Sequence, residues 1–545
     1  MKQICLISRK KHENPTLPSL CGEGSGERYL SIIIGLFCLF FPLSAQVAGN
    51  GSETFTNPVI YADVPDIDVI RVGSDFYMVS TTMHLMPGAP IMRSEDLVNW
   101  EIISYVFDEI KDSPLYDLEG GDVYGKGQWA SSLRYHNGKF YVFFATNTPK
   151  KSHIYETDNP AGKWEKVSEF DKNYHDASLL FDDDGKVYLA YGSGHIRIVE
   201  LKSDLSGIKE GVLAVSAFVG EEQGYKGLLE GTHFYKYNGK YYLFLIGWPP
   251  NGIRTQLCFR SDRIEGPYES KIILSDTLDL YGKGVAQGGI VDTEDGRWFG
   301  FLFQDHNAVG RVPVLTPCRW ENGWPILGDK EGKVPKTMEK PVRGYTGKPL
   351  VVSDSFEEKT LALNWQWNHN PDNSLWSLTE RPGYIRLKTG KVVENIFQAR
   401  NTLSQRTEGS QCSAVISMDV SRMRDGDVAG LGAFCAEAGL LSVVQEGDKK
   451  CLVMTDRGKE KARTEWLHNR VYLRMDCDFN TDKANFYYSS DKENWTQLGT
   501  EFRMVYNLVH FMGYRIAIYN YATKASGGYV DVDFFEYTGS KGIIE

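Results

Sequence analysis

LLEGTHFYKYNGKYYLFLIG (residues 228–247) sets one glutamate, Glu230, ahead of a run that is otherwise mostly glycine, aromatic and aliphatic. Asn238-Gly239 reads as a two-residue hairpin turn, because both residue types tolerate positive φ, and the KYYLFLI after it reads as a strand. The pattern recurs in RVGSDFYMVS (71–80), YHNGKFYVFF (135–144), FDDDGKVYLAYG (181–192) and TEDGRWFGFLF (293–303). The turn glycines at 73, 138, 185, 239 and 296 lie 65, 47, 54 and 57 residues apart, the length of one small sheet with its loops. A lone sheet of this kind cannot bury its faces, but several arranged around an axis can. The expected fold is all-β, a five-bladed β-propeller. A β-sandwich also uses many short strands, yet near-regular recurrence of one local pattern favours the propeller. A parallel α/β fold is disfavoured because the intervals hold no series of long amphipathic helices.

Counting back twelve residues from Tyr188, Tyr242 and Phe299 reaches Asp176, Glu230 and Gln287, and the same step from Tyr141 reaches Trp129. Eleven residues before Tyr77 lies Asp66. If these stretches lead into the innermost strands, polar groups from different blades meet at one end of the axis. Three carboxylates meeting there suit metal binding by oxygen ligands. They equally suit glycoside hydrolysis, in which one acid protonates the leaving oxygen and one base activates water. A third carboxylate beside the acid can raise the acid's affinity for its proton. Trp129 and Trp248 offer flat apolar faces to a sugar, while His84, Arg311 and Gln287 can donate hydrogen bonds. An aspartate ahead of a strand is most often only a turn or cap residue; the aligned set is what singles these out.

NPVIYADVPDIDVIRVGSDFYMVSTTMHLMPGAPIMRSEDLVNW (57–100) resembles the opening of the catalytic propeller of glycoside hydrolase family 43. QWASSLRYHNGKFYVFF, YHDASLLFDDDGKVYLAYG, LLEGTHFYKYNGKYYLF and AQGGIVDTEDGRWFGFLFQDHNAVGRVPVL extend the resemblance through residue 328. The resemblance implies inverting exo-hydrolysis of β-D-xylosyl or α-L-arabinofuranosyl ends, with no cofactor required for the chemistry. It matches the catalytic base to Asp66, the acid to Glu230 and the orienting aspartate to Asp176. Arg311, in AVGR, resembles the family arginine that hydrogen-bonds the terminal sugar. His306 is the candidate for the axial channel, a metal or water site in relatives, and MPG (86–88) resembles a loop bordering the pocket. Ile67 and Ser131 stand where the family often has proline. Asp68 should point away from the base by strand alternation and act structurally. Asp182, Asp183 and Asp184 read as solvated turn residues. An endo-acting enzyme, which needs an open groove, and a non-catalytic glycan-binding protein are the rival readings; the presence of all three carboxylates counts against the second.

After the propeller (51–328), a Lys-, Gly- and Pro-rich connector spans 329–352. Alternating runs such as CSAVISMDV and GGYVDVDFFEY then imply a β-sandwich over 353–545. This half resembles the C-terminal sandwich of family 43 xylosidases and arabinofuranosidases, and WQWNHNPDNSLW (365–376) is its candidate loop at the pocket rim. Asp354 and Asp533 are candidate ligands of a structural calcium.

The first 50 residues read as a signal peptide with a preceding extension. YLSIIIGLFCLFFPLSAQ (29–46) is apolar, contains Pro42, is short for a bilayer span and ends in small residues, with cleavage expected after Ala45. Export to the periplasm or beyond the cell follows, without stable membrane insertion. The net charge of -11 gives no support to a nucleic-acid partner. A plant polysaccharide or oligosaccharide is the expected partner. Cys258, Cys318, Cys412, Cys435, Cys451 and Cys477 lack metal-binding spacing and read as buried thiols, with one or two disulfides conceivable in the second domain.

Overall fold

Each of the five hairpins becomes the first two strands of a four-stranded antiparallel blade. The structure is a computed structural model that describes residues 53–210, 214–219, 226–249, 252–507 and 510–539; the apolar N-terminal run lies outside them. The first strands of the blades are Asp68–Val72, Gln128–His136, Ser178–Phe181, Lys226–Tyr237 and Gly288–Asp292. They touch one another in cyclic order and so surround the axis. This is the expected five-bladed propeller. The strand Lys240–Trp248 is buried continuously from Tyr242 to Gly247, because adjacent blades cover both of its faces. That explains why the quoted strands read as apolar runs rather than alternating ones.

The segment that leads into the first blade is laced to the end of the last one. Thr54–Thr56 pairs with Thr337–Glu339, and the Asn57 amide donates to Leu315 O and Pro335 O, each at 2.8 Å. A buried polar plug fills the axis. Arg134 donates to Asp68 (2.6 Å), Ser178 Oγ (2.6 Å) and the carbonyls of Leu133, Leu179 and Phe234. Asp68 also faces His233 Nδ1 at 3.1 Å. A buried charge is tolerable only when paired and fully hydrogen-bonded, and this group joins strands from four blades. Asp68 is therefore structural, as its alternation implied.

The second half is a β-sandwich of two eight-stranded sheets. Alternation is clear in Gln411–Asp419, where Cys412, Ala414, Ile416 and Met418 face the core. One sheet does not end within the domain. Its edge strand is Leu85–Met86 of the propeller, paired with Trp367 and Asn368. Two expectations are corrected here. The six cysteines are free thiols, Cys412 and Cys477 standing opposite each other on neighbouring strands without a bond. Asp354 accepts from Phe356 N (2.8 Å) and Trp365 Nε1 (2.8 Å), while Asp533 pairs with Arg470 (2.5 Å), so the two acids do not form a calcium site. No helix among the described residues is long and apolar enough to cross a membrane.

Candidate active site

The residues ahead of the axial strands owe their direction to unusual backbone. Asp66, Asp176 and Gln287 have φ of 50°, 47° and 72°, a left-handed conformation that most side chains avoid. Glu230 and Trp129 instead sit at bulges, where the pairing register of their strands shifts. Both devices re-aim a side chain that regular pleating would send elsewhere. Ser131, found where the resemblance suggested proline, closes the second bulge by accepting from Gln128 Nε2 at 2.8 Å. Ile67 is buried between the first and last blades. Neither departure disturbs a reacting group.

Asp66 is held in a defined orientation by two donors. Its Oδ2 accepts from Thr81 Oγ1 at 2.8 Å, and its Oδ1 pairs with Arg311 Nη1 at 2.8 Å. Arg311 is itself fixed by Asp305 (3.2 Å), which Arg254 (3.4 Å) and the Tyr506 hydroxyl (3.4 Å) also approach. Arg311 thus orients Asp66.

On the other side stand Asp176, Glu230 and His175. Asp176 accepts from the backbone N–H of Gly231 at 2.9 Å. Glu230 Oε2 lies 3.2 Å from His175 Nε2 and accepts from Ser193 Oγ at 2.9 Å. Gln287 packs over Gly231, where a Cβ would come within 2.8 Å of its Cγ; with φ at 74°, only glycine fits there.

The proton distribution follows from these contacts. Burial pushes Asp176 up to about 6, with the charges of Glu230 and Asp66 adding to the effect against the pull of His175. Burial would likewise raise Glu230, but the hydrogen bond and charge of His175 reverse this and hold it below the ordinary carboxylate value. Burial opposes protonation of His175, yet Asp176 and Glu230 outweigh it and lift the imidazole to about 9. The raised affinity expected for Glu230 falls on Asp176 and His175 instead. Donor atoms of the three lie within 4.8 Å of one another, a spacing that could hold a cation in competition with the shared proton. A second Asp112–His153–Glu169 group has Lys166 2.7 Å from Glu169 and Lys151 against the same carboxylate, which leaves little charge for a metal.

Trp129 reaches the site, its ring centroid 5.4 Å from that of His175 and 5.5 Å from that of Phe511. Trp248 is half-buried two residues beyond Ile246, the strand partner of Glu230. His84 does not join the carboxylates. It is buried at the domain interface against Tyr124, His369 and His510, at ring distances of 4.6, 5.1 and 5.5 Å. His306 is also displaced from its expected place: it packs between Tyr61 and Tyr281 with Nε2 2.7 Å from Gln304 Oε1. The histidine on the axis is His233.

The rim loop differs too. His369 and its neighbours dock on the propeller, with His369 N donating to His84 O at 3.0 Å, but the sandwich residues at the pocket are Tyr506 and Phe511. Phe511 lies 5.2 Å from the Arg311 guanidinium. Their position more than 400 residues from Asp66 leaves no local trace in the sequence. His175 lies in the YHDASLLFDDDGKVYLAYG segment and Ser193 directly follows it, and pairing them with Glu230 required only the blade geometry.

The family model for glycosyl hydrolases family 43 matches residues 55–325, and that for the beta xylosidase C-terminal concanavalin A-like domain matches residues 353–538. A beta-xylosidase of Formosa agariphila is 31% identical over 561 residues, covering 90% of this chain and 91% of its own. A non-reducing end alpha-L-arabinofuranosidase of Bacteroides ovatus is 32% identical over 422 residues, covering 74% of this chain and 77% of its own. Among solved structures, a bifunctional GH43-CE protein of Bacteroides eggerthii superposes with a TM-score of 0.85 at 45% identity, over 89% of this chain and 64% of that one.

Proposed function

The chain belongs to glycosyl hydrolase family 43, and on that premise we propose that it is an inverting exo-glycosidase releasing terminal α-L-arabinofuranosyl and β-D-xylosyl residues from hemicellulose-derived glycans. The observation that carries the reading is the division of the pocket into two unlike halves. Asp66 is gripped by the Arg311 guanidinium and the Thr81 hydroxyl, whereas Glu230 shares a hydrogen bond with a proton-bearing neighbour.

In the reaction, water attacks the anomeric carbon while Asp66 takes its proton. Glu230 passes to the departing glycosidic oxygen the proton it shares with His175 as the C–O bond breaks. Asp176, fixed by Gly231, places its charge beside the acid. Trp129 and Phe511 stand side by side at the site, ring centroids 5.5 Å apart, as apolar faces for the sugar. The pair of carboxylates can serve a pyranose or a furanose alike. The apolar run at 29–46 makes export part of the same reading.

The function is tested by product analysis on paired aryl α-L-arabinofuranoside and β-D-xyloside, followed by arabinoxylan-derived oligosaccharides. Release of single pentoses is expected; failure on all of them would reject the proposal.

His175 supplies a separate test. Across neutral pH the acid-side group retains one proton, which leaves only as pH passes the raised His175 value of about 9. In His175→Gln that proton is left to the carboxylates Glu230 and Asp176, which release it at lower pH. The basic limb of kcat/KM should therefore move toward acid by about one unit or more. A limb unchanged in position would show that His175 does not share the catalytic proton.

A further inference from the structure

Between the propeller and the sandwich lie two buried arginines that the proposed reaction does not use. Arg406 and Arg515 are directly opposite each other on neighbouring strands of the sandwich and are 1% and 2% exposed. Arg406 Nε donates to Asp63 O at 2.9 Å. Among the described residues its Nη1 and Nη2, and the Nε and Nη1 of Arg515, are buried without a well-formed hydrogen bond, the Tyr105 hydroxyl approaching the Arg406 guanidinium.

The surroundings offer too little negative charge. Asp63 is the neighbouring carboxylate, with Oδ1 accepting from Arg311 N at 2.9 Å and Oδ2 unpartnered. The Tyr105 hydroxyl donates to Leu363 O (2.6 Å), and Cys435 Sγ faces Met512 O (3.4 Å). Like charges directly opposite in a sheet repel, and a buried unpaired guanidinium is costly. Two cations against one carboxylate leave a net positive charge even when Asp63 is ionised. Burial raises the proton affinity of Asp63, which widens the imbalance and turns Oδ2 into a potential donor.

We propose that this interface binds one small monovalent inorganic anion, of chloride size, between the Arg406 and Arg515 guanidiniums. The anion supplies the missing charge and accepts from the otherwise unpartnered N–H groups. The two arginines belong to the sandwich and Asp63 to the propeller, so the bound ion joins the domains. Near-complete burial of both side chains limits the ligand to a few ångströms across.

The test is structural and thermal. Crystals of the full chain grown in sodium bromide should show an anomalous peak between the two guanidiniums. At constant ionic strength, replacing gluconate with chloride or bromide should raise Tm by roughly 1–3 °C per tenfold increase in halide beyond saturation. Arg406→Met and Arg515→Met should each lose the peak and the halide-dependent shift. Should either variant fail to fold, the wild-type crystals and titration decide alone. Ordered water without anomalous signal, or a Tm indifferent to halide, would overturn the proposal. Since neither readout uses turnover, its failure is distinct from failure of the glycosidase reading.

Discussion

Asp66→Asn should lower kcat/KM by about 10²–10⁴-fold on every glycoside, whatever its leaving group. The amide keeps the shape of the carboxylate but cannot accept the proton from water at useful affinity. A good leaving group does not rescue the loss, because attack by water is still needed. The substitution also removes an ion pair at 2.8 Å and leaves the Arg311 guanidinium facing a neutral group. A thermal melt must therefore accompany the kinetics. Loss of activity with a retained cooperative transition assigns the effect to chemistry; activity near wild type would remove Asp66 from the role of base.

Glu230→Gln should behave differently, and the difference is diagnostic. On an aryl glycoside whose phenolate leaves readily, no protonation is required, and kcat/KM should stay within about tenfold of wild type. On an oligosaccharide the departing alkoxide needs a proton, and the loss should reach about 10²–10⁴-fold. A plot of log kcat/KM against leaving-group acidity should therefore steepen in the variant. Equal loss across the series, together with strong leaving-group dependence in Asp66→Asn, would exchange the two roles. The neutral amide still has Ser193 and His175 beside it, so gross rearrangement of the pocket is not expected.

The propeller was legible because its signals are local. Asn-Gly and Asp-Gly turns, the strand after each, and a near-constant interval required no knowledge of distant contacts. The offsets that picked out Asp66, Asp176 and Glu230 were legible for the same reason: each residue occupies an equivalent place ahead of, or early in, an axial strand. Trp129 and Gln287 followed from that equivalence. Arg311 came from resemblance, and its bond to Asp66 was not readable beforehand.

What escaped were relations between sequence-distant surfaces. His84 lies near the pocket segment in sequence, but sandwich residues His369 and His510 close over it and make it interfacial. His306 follows a blade strand closely enough to suggest the axis, yet its turn carries it outward to Tyr61 and Tyr281. His233 lies on the axis because it belongs to the innermost strand, a distinction that hydropathy does not make. Phe511 and the 365–376 loop are both aromatic or polar sandwich segments facing the propeller, and only the packing shows which one meets Arg311.

The central claim is that Asp66 and Glu230 act on opposite sides of one bond, with room for water between base and sugar. The measurement that tests it most directly is proton NMR of the first sugar released, followed before mutarotation erases the record. Single displacement predicts the inverted anomer: a β-arabinofuranose from an α-L-arabinofuranoside, or an α-xylose from a β-D-xyloside. First appearance of the retained anomer would require a covalent intermediate and contradict the assignment of Asp66 as the base that activates water.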